Sequence, residues 1–194
     1  MIEYLKGEIA ALSPARMILE CNGIGYELHI SLITYSAFRD RKEAKVYIYE
    51  IFREDAHLLY GFETHREREL FLLLTSVSGV GPNTARMILS SLPPSELVEV
   101  IASGDEKNLT LIKGIGSKTA QRIIVDLKNK VKAIEEKTGR TPVSRRSEAA
   151  DEAVAALVML GFQKVASQKA VDSVMKKSTD VTVEQIIKTA LKIL

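Results

Sequence analysis

Apolar and polar residues alternate along the first third of this chain and recur at helical spacing along the rest. A period of two residues predicts five short strands, at Ile2–Ala10, Met17–Cys21, Tyr26–Leu32, Val46–Phe52 and Leu58–Phe62. Ser13-Pro14 and Asn22-Gly23 supply turns, and a short helix fits at Ile33–Phe38. Residues 1–63 are therefore predicted to form a compact β-barrel.

Helical periodicity begins after residue 63 and predicts an all-helical segment at 64–134. Thr64 and Glu67 have the spacing of a capping box that opens a helix. Pro93-Pro94 starts another helix, and Gly104 can end it. The helix after Gly116 is predicted to run to about Lys132.

A motif in this segment occurs twice with an offset of 35 residues, first at Leu74–Ala85 and again at Leu109–Ala120. Each copy reads as a helix, a tight Gly-x-Gly turn and a second helix. The glycines allow positive φ, and the unpaired amides that begin the second helix attract an anion. Two copies predict a pair of helix-hairpin-helix units that hold a DNA backbone without reading its sequence. Gly23-Ile24-Gly25 lies between strands and predicts a hairpin or bulge instead.

Residues 135–147 are rich in turn-forming and basic residues, which predicts a flexible linker. Residues 148–194 predict three short helices. The first ends at Gly161, and the third opens with a Thr182/Gln185 capping box. A domain of this size needs most of its apolar residues for its own core, and any left exposed would form a partner site.

Charge is distributed unevenly although the net charge is only +2. Basic residues concentrate on the second hairpin and its outgoing helix, where only Asp126 opposes Lys113, Lys118, Arg122, Lys128, Lys130 and Lys132. Beside a phosphate-binding turn, this run favours DNA contact over an ordinary solvated helix face. The chain has one cysteine and no apolar run that could span a bilayer, so the cytoplasm is the expected location and no disulfide is expected.

The predicted fold class is multidomain α+β: an N-terminal oligonucleotide-binding (OB)-like β-barrel, a central tandem helix-hairpin-helix α domain and a C-terminal three-helix domain like ubiquitin-associated (UBA-like) domains. With Arg53–Phe62, the two hairpins and Ala155–Phe162, the whole chain resembles the RuvA family, the Holliday-junction-binding subunits of bacterial branch-migration machinery. The resemblance implies roles in recombination, repair of DNA damage and the SOS response.

The resemblance implies a homotetramer that holds an open four-way junction, and it leaves open whether a second tetramer completes an octamer on the DNA. The implied DNA-binding residues are Gly79, Val80, Gly81, Asn83, Gly114, Ile115, Gly116, Ser117, Lys118 and Arg122. Arg122 lies one helical turn after Lys118, so both side chains are expected on one face. Family members often carry a basic residue where this chain has Asn83 or Ser117, which should weaken the salt-dependent part of binding.

Two further sites are implied by the resemblance. Glu54 and Asp55 would form an acidic pin at the junction crossover, shaping the junction and restraining branch migration without adding affinity. The tail would bind RuvB, a hexameric ATPase, through candidates of a kind that is more often core than interface: Leu157, Leu160, Gly161, Phe162, Leu191 and Leu194. The resolvase RuvC is a further implied partner, and ATP would be used by RuvB, so this chain is expected to hold no cofactor or metal and to be non-catalytic.

Two alternatives remain. A DNA glycosylase/lyase would use Lys118 as a Schiff-base nucleophile with Glu136 as its carboxylate, but the duplicated hairpin and the barrel would then have no role. A general DNA-binding scaffold would lack junction preference. A phosphate-binding ATPase loop is not predicted, because Gly116-Ser117-Lys118-Thr119 lacks the required glycine spacing. His29, His57 and His65 show no metal-ligand spacing.

Overall fold

The computed structural model describes residues 1–138, 145–177 and 182–194, with the side chains at 132–148 and 176–181 left out of the description. The chain divides into two compact units, Met1–Thr138 and Gly139–Leu194. Within the described ranges, no helix combines the length and the apolar character needed to cross a bilayer.

The first unit begins with a closed barrel of five strands. They are β1 (Tyr4–Ser13), β2 (Arg16–Cys21), β3 (Ile24–Ile30), β4 (Glu43–Phe52) and β5 (His57–Phe62), with helix α1 (Leu32–Phe38) between β3 and β4. Neighbouring strands pair in the order β1-β2-β3-β5-β4, and β4 closes the barrel against β1. Only the β3–β5 pairing is parallel, because α1 carries the chain across the barrel. The predicted OB-like barrel is confirmed.

Alternation of apolar residues fills the barrel. Met17 and Leu19 of β2, Leu28 of β3 and Val46 of β4 are fully buried, while the residues between them are more exposed. Asn22 and Gly23 both adopt positive φ, at 52° and 80°, and turn β2 into β3. Gly23-Ile24-Gly25 is thus a hairpin connection, as predicted.

Helices follow the barrel in the same unit: α2 (His65–Thr75), α3 (Pro82–Ser91), α4 (Pro94–Ser103), α5 (Glu106–Thr110) and α6 (Ser117–Thr138). Proline stands in the first turn of both α3 and α4, where its missing amide costs no helical hydrogen bond. Gly104 ends α4 in the left-handed region at φ 83°. The start and end of α4 agree with the prediction, whereas α6 runs to Thr138, past its predicted end near Lys132.

Phe71 of α2 joins the barrel to the helices. Its ring centroid lies 5.1 Å from that of Tyr60 and 5.0 Å from that of Phe62, both on β5. All three rings are buried in the core that continues through α3, α4 and α6. The strand β5 therefore faces the helices and fixes the position of the first hairpin relative to the barrel.

The predicted capping box at the start of α2 is only half formed. The amide of Glu67 donates to the Thr64 hydroxyl at 3.1 Å. The Glu67 carboxylate turns inward instead, where it accepts hydrogen bonds from the Ser31 and Thr34 hydroxyls of the barrel at 2.5 and 2.7 Å. Those buried hydroxyls supply stronger partners than the exposed cap would, and burial raises the pKa of Glu67.

The second unit contains α7 (Arg145–Met159), α8 (Lys164–Lys177) and α9 (Val183–Ala190). Its core is formed by Ala153, Val154, Leu157, Ala170, Val171, Val174, Ile186 and Ala190. Thr182 and Gln185 form the complete reciprocal capping box predicted for α9. Of the predicted linker, 135–138 continue α6 and 145–147 begin α7, because the helical backbone hydrogen bonding extends into both ends, while 139–144 lie outside the described residues.

Candidate nucleic-acid interface

The two hairpins have the same backbone geometry. Gly79 and Gly114 adopt φ of 92° and 89°, a conformation that strains any residue with a Cβ atom. The amide after each glycine closes the turn: Val80 donates to the Val77 carbonyl, and Ile115 to that of Ile112, both at 3.0 Å. The repeat in the sequence is therefore a repeat in structure.

The second glycine of each motif stands immediately before a helix. The Gly81 carbonyl accepts from the Ala85 amide, and the Gly116 carbonyl from the Ala120 amide, both at 2.9 Å. A Cβ atom at either glycine would meet no other atom within 4 Å. The first amides of α3 and α6 consequently face open space that an anion can enter.

Burial separates the hairpin residues into anchors and contacts. Val80 and Ile115 are 4% and 5% exposed, so they pack into the core and can offer DNA only backbone atoms. Asn83, Ser117 and Lys118 are exposed beside the open helix ends. The second hairpin has one more amide donor than the first, since Pro82 stands where Ser117 stands in the repeat.

Arg122 reaches the other hairpin. Its guanidinium donates to the Ser78 carbonyl at 3.0 Å and lies 3.9 Å from the Cβ position of Gly79. The equivalent residue of the first repeat, Met87, lies 3.5 Å from the Cβ position of Gly114. The outgoing helix of each hairpin thus supports the loop of the other, and Arg122 adds positive charge beside the first hairpin.

A carboxylate lies beside the second hairpin. The carboxylate of Glu106, the first residue of α5, accepts hydrogen bonds from the Ser117 hydroxyl at 2.5 Å and from the side-chain amide of Gln121 at 3.2 Å. Ser117 and Gln121 are one turn apart on α6, so they hold the carboxylate against the start of that helix. Sequence reasoning missed Glu106, because no local pattern links it to residues eleven and fifteen positions later.

The predicted acidic pin forms the turn between β4 and β5. Glu54 and Asp55 are exposed at its tip, and the Arg53 amide donates to the Ala56 carbonyl across it at 2.8 Å. Below the tip, the rings of Phe52 and His57 stack with centroids 4.1 Å apart. This pair, also missed from the sequence, lies at the base of the turn, where Phe52 ends β4 and His57 begins β5.

The predicted motor-binding residues of the tail fall into two groups, one buried and one exposed. Leu157 is fully buried in the tail's core. Leu160 is 62% exposed, while Phe162, Leu191 and Leu194 are 37%, 41% and 40% exposed. Gly161 ends the segment after α7 at φ 101°. Exposed Met159 and Ile193 belong to the same stretches and were not predicted.

Of the two residues behind the enzymatic alternative, the side chain of Lys118 alone belongs to the described part of the chain. Lys118 is exposed at the start of α6, and the side chain of Glu136 lies outside the described residues, as does that of Lys132. No three His, Cys, Asp or Glu side chains among those described are grouped as metal ligands. Cys21 packs against the barrel core, and burial raises the pKa of its thiol.

An OB-like barrel joined to two equivalent helix-hairpin-helix turns is the architecture of a class of nucleic-acid-binding proteins. Family models agree along the chain. The RuvA N-terminal domain matches residues 1–61, a SAM-like helix-hairpin-helix tandem matches 71–129, and the RuvA C-terminal domain matches 148–194.

Curated relatives cover the chain from end to end. A protein of Parabacteroides distasonis is 69% identical over all of both chains, one of Bacteroides fragilis is 55% identical over 99% of each, and one of Porphyromonas gingivalis is 50% identical over all of both. Each is named Holliday junction branch migration complex subunit RuvA. The chain belongs to the RuvA family.

Proposed function

We propose that this chain binds four-way Holliday junction DNA, holds it open and delivers it to an ATPase motor for branch migration. The observation that carries the proposal is the pair of equivalent hairpins at Gly79–Gly81 and Gly114–Gly116, whose open helix ends suit phosphates on two backbone stretches. The names of the relatives supply the junction as the substrate.

The proposed contacts combine backbone amides and a few side chains. The amides of residues 79, 81, 114 and 116–118 would hold phosphates, while Asn83, Lys118 and Arg122 would add polar and charged contacts. Such contacts position DNA and carry no sequence information, which suits a protein that must act wherever a junction forms. The Ser117 hydroxyl is already engaged by Glu106, so it would contribute mainly through its amide.

For the assembly, we propose the homotetramer that the resemblance to the RuvA family implies. A four-way junction has four arms, so a homotetramer would place one subunit against each arm, and a second tetramer on the opposite face would give an octamer. In each tetramer, eight carboxylates from Glu54 and Asp55 would surround the crossover, where they would repel phosphates and keep them apart.

The role is that of a non-catalytic subunit. The relatives are named as subunits of a branch migration complex, which supports a motor partner. We propose that this partner is the hexameric ATPase RuvB, bound through the exposed tail residues around Leu160 and Phe162, and that it alone uses ATP. The resolvase RuvC would act on the same junction, and the complex would operate in the cytoplasm without a cofactor of its own.

A gel-shift titration tests the proposal directly. A fixed four-way junction and a duplex of equal length are titrated with magnesium and excess competitor DNA. We expect strong preference for the junction, lost when Gly79 and Gly114 are both replaced by bulky residues. Equal affinity for the two DNAs would contradict junction recognition and leave a general DNA-binding scaffold.

A further inference from the structure

Glu106 stands out because it places a negative charge where the proposed function requires a phosphate. At the start of α6, its carboxylate accepts hydrogen bonds from the Ser117 hydroxyl at 2.5 Å and from the side-chain amide of Gln121 at 3.2 Å. The N-terminus of a helix attracts any anion, whether side chain or DNA. A carboxylate held there satisfies part of that attraction before DNA arrives.

The position of Glu106 is fixed by its own helix. Asp105 caps α5 by accepting from the Asn108 amide at 3.2 Å, and α5 packs against α6, so Glu106 at the start of α5 lies beside Ser117. Together with Gly104, Lys107 and Thr110, Asp105, Glu106 and Ser117 line an open cleft at this end of the second hairpin. The carboxylate therefore belongs to the surface that a bound backbone would cover.

The first hairpin provides an internal comparison. The residue 35 positions before Glu106 is Phe71, which is fully buried, and Pro82 replaces the hydroxyl of Ser117. The same comparison puts Lys113 and Lys118 of the second hairpin opposite Ser78 and Asn83 of the first. The second hairpin is thus richer in positive charge, and it is the one that carries an opposing carboxylate.

We propose that the Glu106 carboxylate is an electrostatic brake on the second hairpin, weakening its hold on a DNA phosphate. The inference rests on the proposed function, in which this hairpin grips the backbone. A tight grip would oppose the movement of DNA that branch migration requires, because each step must break and remake the phosphate contacts. Glu106 lowers the affinity of the second hairpin for a phosphate and so brings it closer to the affinity of the first hairpin.

The test compares Glu106→Gln with Glu99→Gln in the full chain. Both changes remove one negative charge, but Glu99 is exposed on α4 and no hydrogen bond joins it to Ser117 or Gln121. Junction affinity is measured at low and at high salt, and thermal unfolding confirms that each variant is folded. A second variant, Glu106→Ala, removes the carboxylate without leaving an amide in its place.

We expect Glu106→Gln and Glu106→Ala to bind the junction about three- to tenfold tighter at low salt, with the gain shrinking as salt screens the charge. Glu99→Gln should change affinity by less than about twofold, as an exposed charge away from the contact does. Equal shifts for the two glutamine variants, no shift, or weaker binding by the Glu106 variants would overturn the brake. Absence of junction preference in the unaltered chain would instead contradict the proposed function, and the Glu106 comparison could then be made on duplex DNA.

Discussion

Arg122 and Ser78 join the two hairpins through a 3.0 Å hydrogen bond from the guanidinium to the backbone carbonyl. Arg122 belongs to the helix that leaves the second hairpin, while Ser78 precedes the positive-φ glycine of the first. One side chain therefore holds a loop in place and brings charge to it. The charge comes to the hairpin that has Asn83 where the second hairpin has Lys118.

Replacing Arg122 by alanine should weaken junction binding by about tenfold, because the proposed charge-assisted contact with a phosphate, worth about 1.5 kcal/mol, is lost and the loop at Ser78 loses its support. The dependence of affinity on salt should also become shallower, since a phosphate contact disappears. Gel-shift titrations at several salt concentrations measure both effects. Lys130→Ala, which removes one charge farther along α6, is the matched control. Equal losses in the two variants would show that Arg122 acts only through net charge.

Replacing Gly79 or Gly114 by alanine should strain the hairpin by about 1–2 kcal/mol, because each glycine has positive φ. The strain would turn the helix amides away from the phosphate position and reduce junction affinity. Gly23→Ala is the control, since Gly23 has φ of 80° and open space around it but lies in the barrel turn. The midpoint temperature of thermal unfolding should fall similarly in all three variants, whereas the affinity for the junction should fall only in the hairpin variants. Unchanged binding by the hairpin variants would remove the amides from the proposed contact.

The sequence predicted those elements whose signals are local. Alternation predicted the barrel strands, and Pro93-Pro94 and Gly104 marked helix ends, because each acts within a few residues of its own position. The repeat predicted the hairpins. Contacts between distant residues were beyond reach: Glu67 had the spacing of a capping box, yet buried hydroxyls on another element captured its carboxylate.

Arg122 shows the same limit at the candidate site. Helical spacing predicted that Arg122 lies on the same helix face as Lys118. Its hydrogen bond to the Ser78 carbonyl depends on the packing of α6 against the first hairpin, which the spacing does not show. The 35-residue offset does contain a signal, because it aligns the charged Arg122 of the second repeat with the uncharged Met87 of the first. A charged residue in one repeat that is replaced by an uncharged residue in the other can therefore indicate a position with a role of its own.

Neutralising the acidic turn with Glu54→Gln and Asp55→Asn should leave junction affinity unchanged or raise it, because both carboxylates are exposed and would repel phosphates. Motor-driven branch migration should become less restrained. Affinity is measured by gel shift, and migration by the separation of labelled strands. The Phe52–His57 stack below the turn is kept intact, so a loss of affinity in the double variant would contradict the acidic-pin role.

The buried Glu67 should make the first unit more stable in mild acid. Burial raises its pKa above the ordinary value of 4.5, so the native state holds the proton more tightly than the unfolded chain does. Its contribution to stability is complete below the unfolded pKa and is lost as pH rises through the folded pKa. Urea unfolding of the chain and of Glu67→Gln, from pH 4.5 upward, measures the difference. The stability of the glutamine variant relative to the unaltered chain should rise with pH, and a constant difference would show that Glu67 titrates normally.

Two leucines three positions apart should separate the folding of the tail from its partner contact. Leu157 is fully buried, so Leu157→Ala should destabilise the tail by about 2–5 kcal/mol through a cavity. Leu160 is 62% exposed, so Leu160→Ser should leave thermal unfolding nearly unchanged. If Leu160 contacts the motor, branch migration driven by the ATPase should fall in Leu160→Ser while junction binding stays intact, because the hairpins belong to the other unit. Ala155→Ser, an exposed change on the same helix, is the control. Full branch migration by Leu160→Ser would exclude this residue from the motor contact and direct attention to the exposed residues after α9.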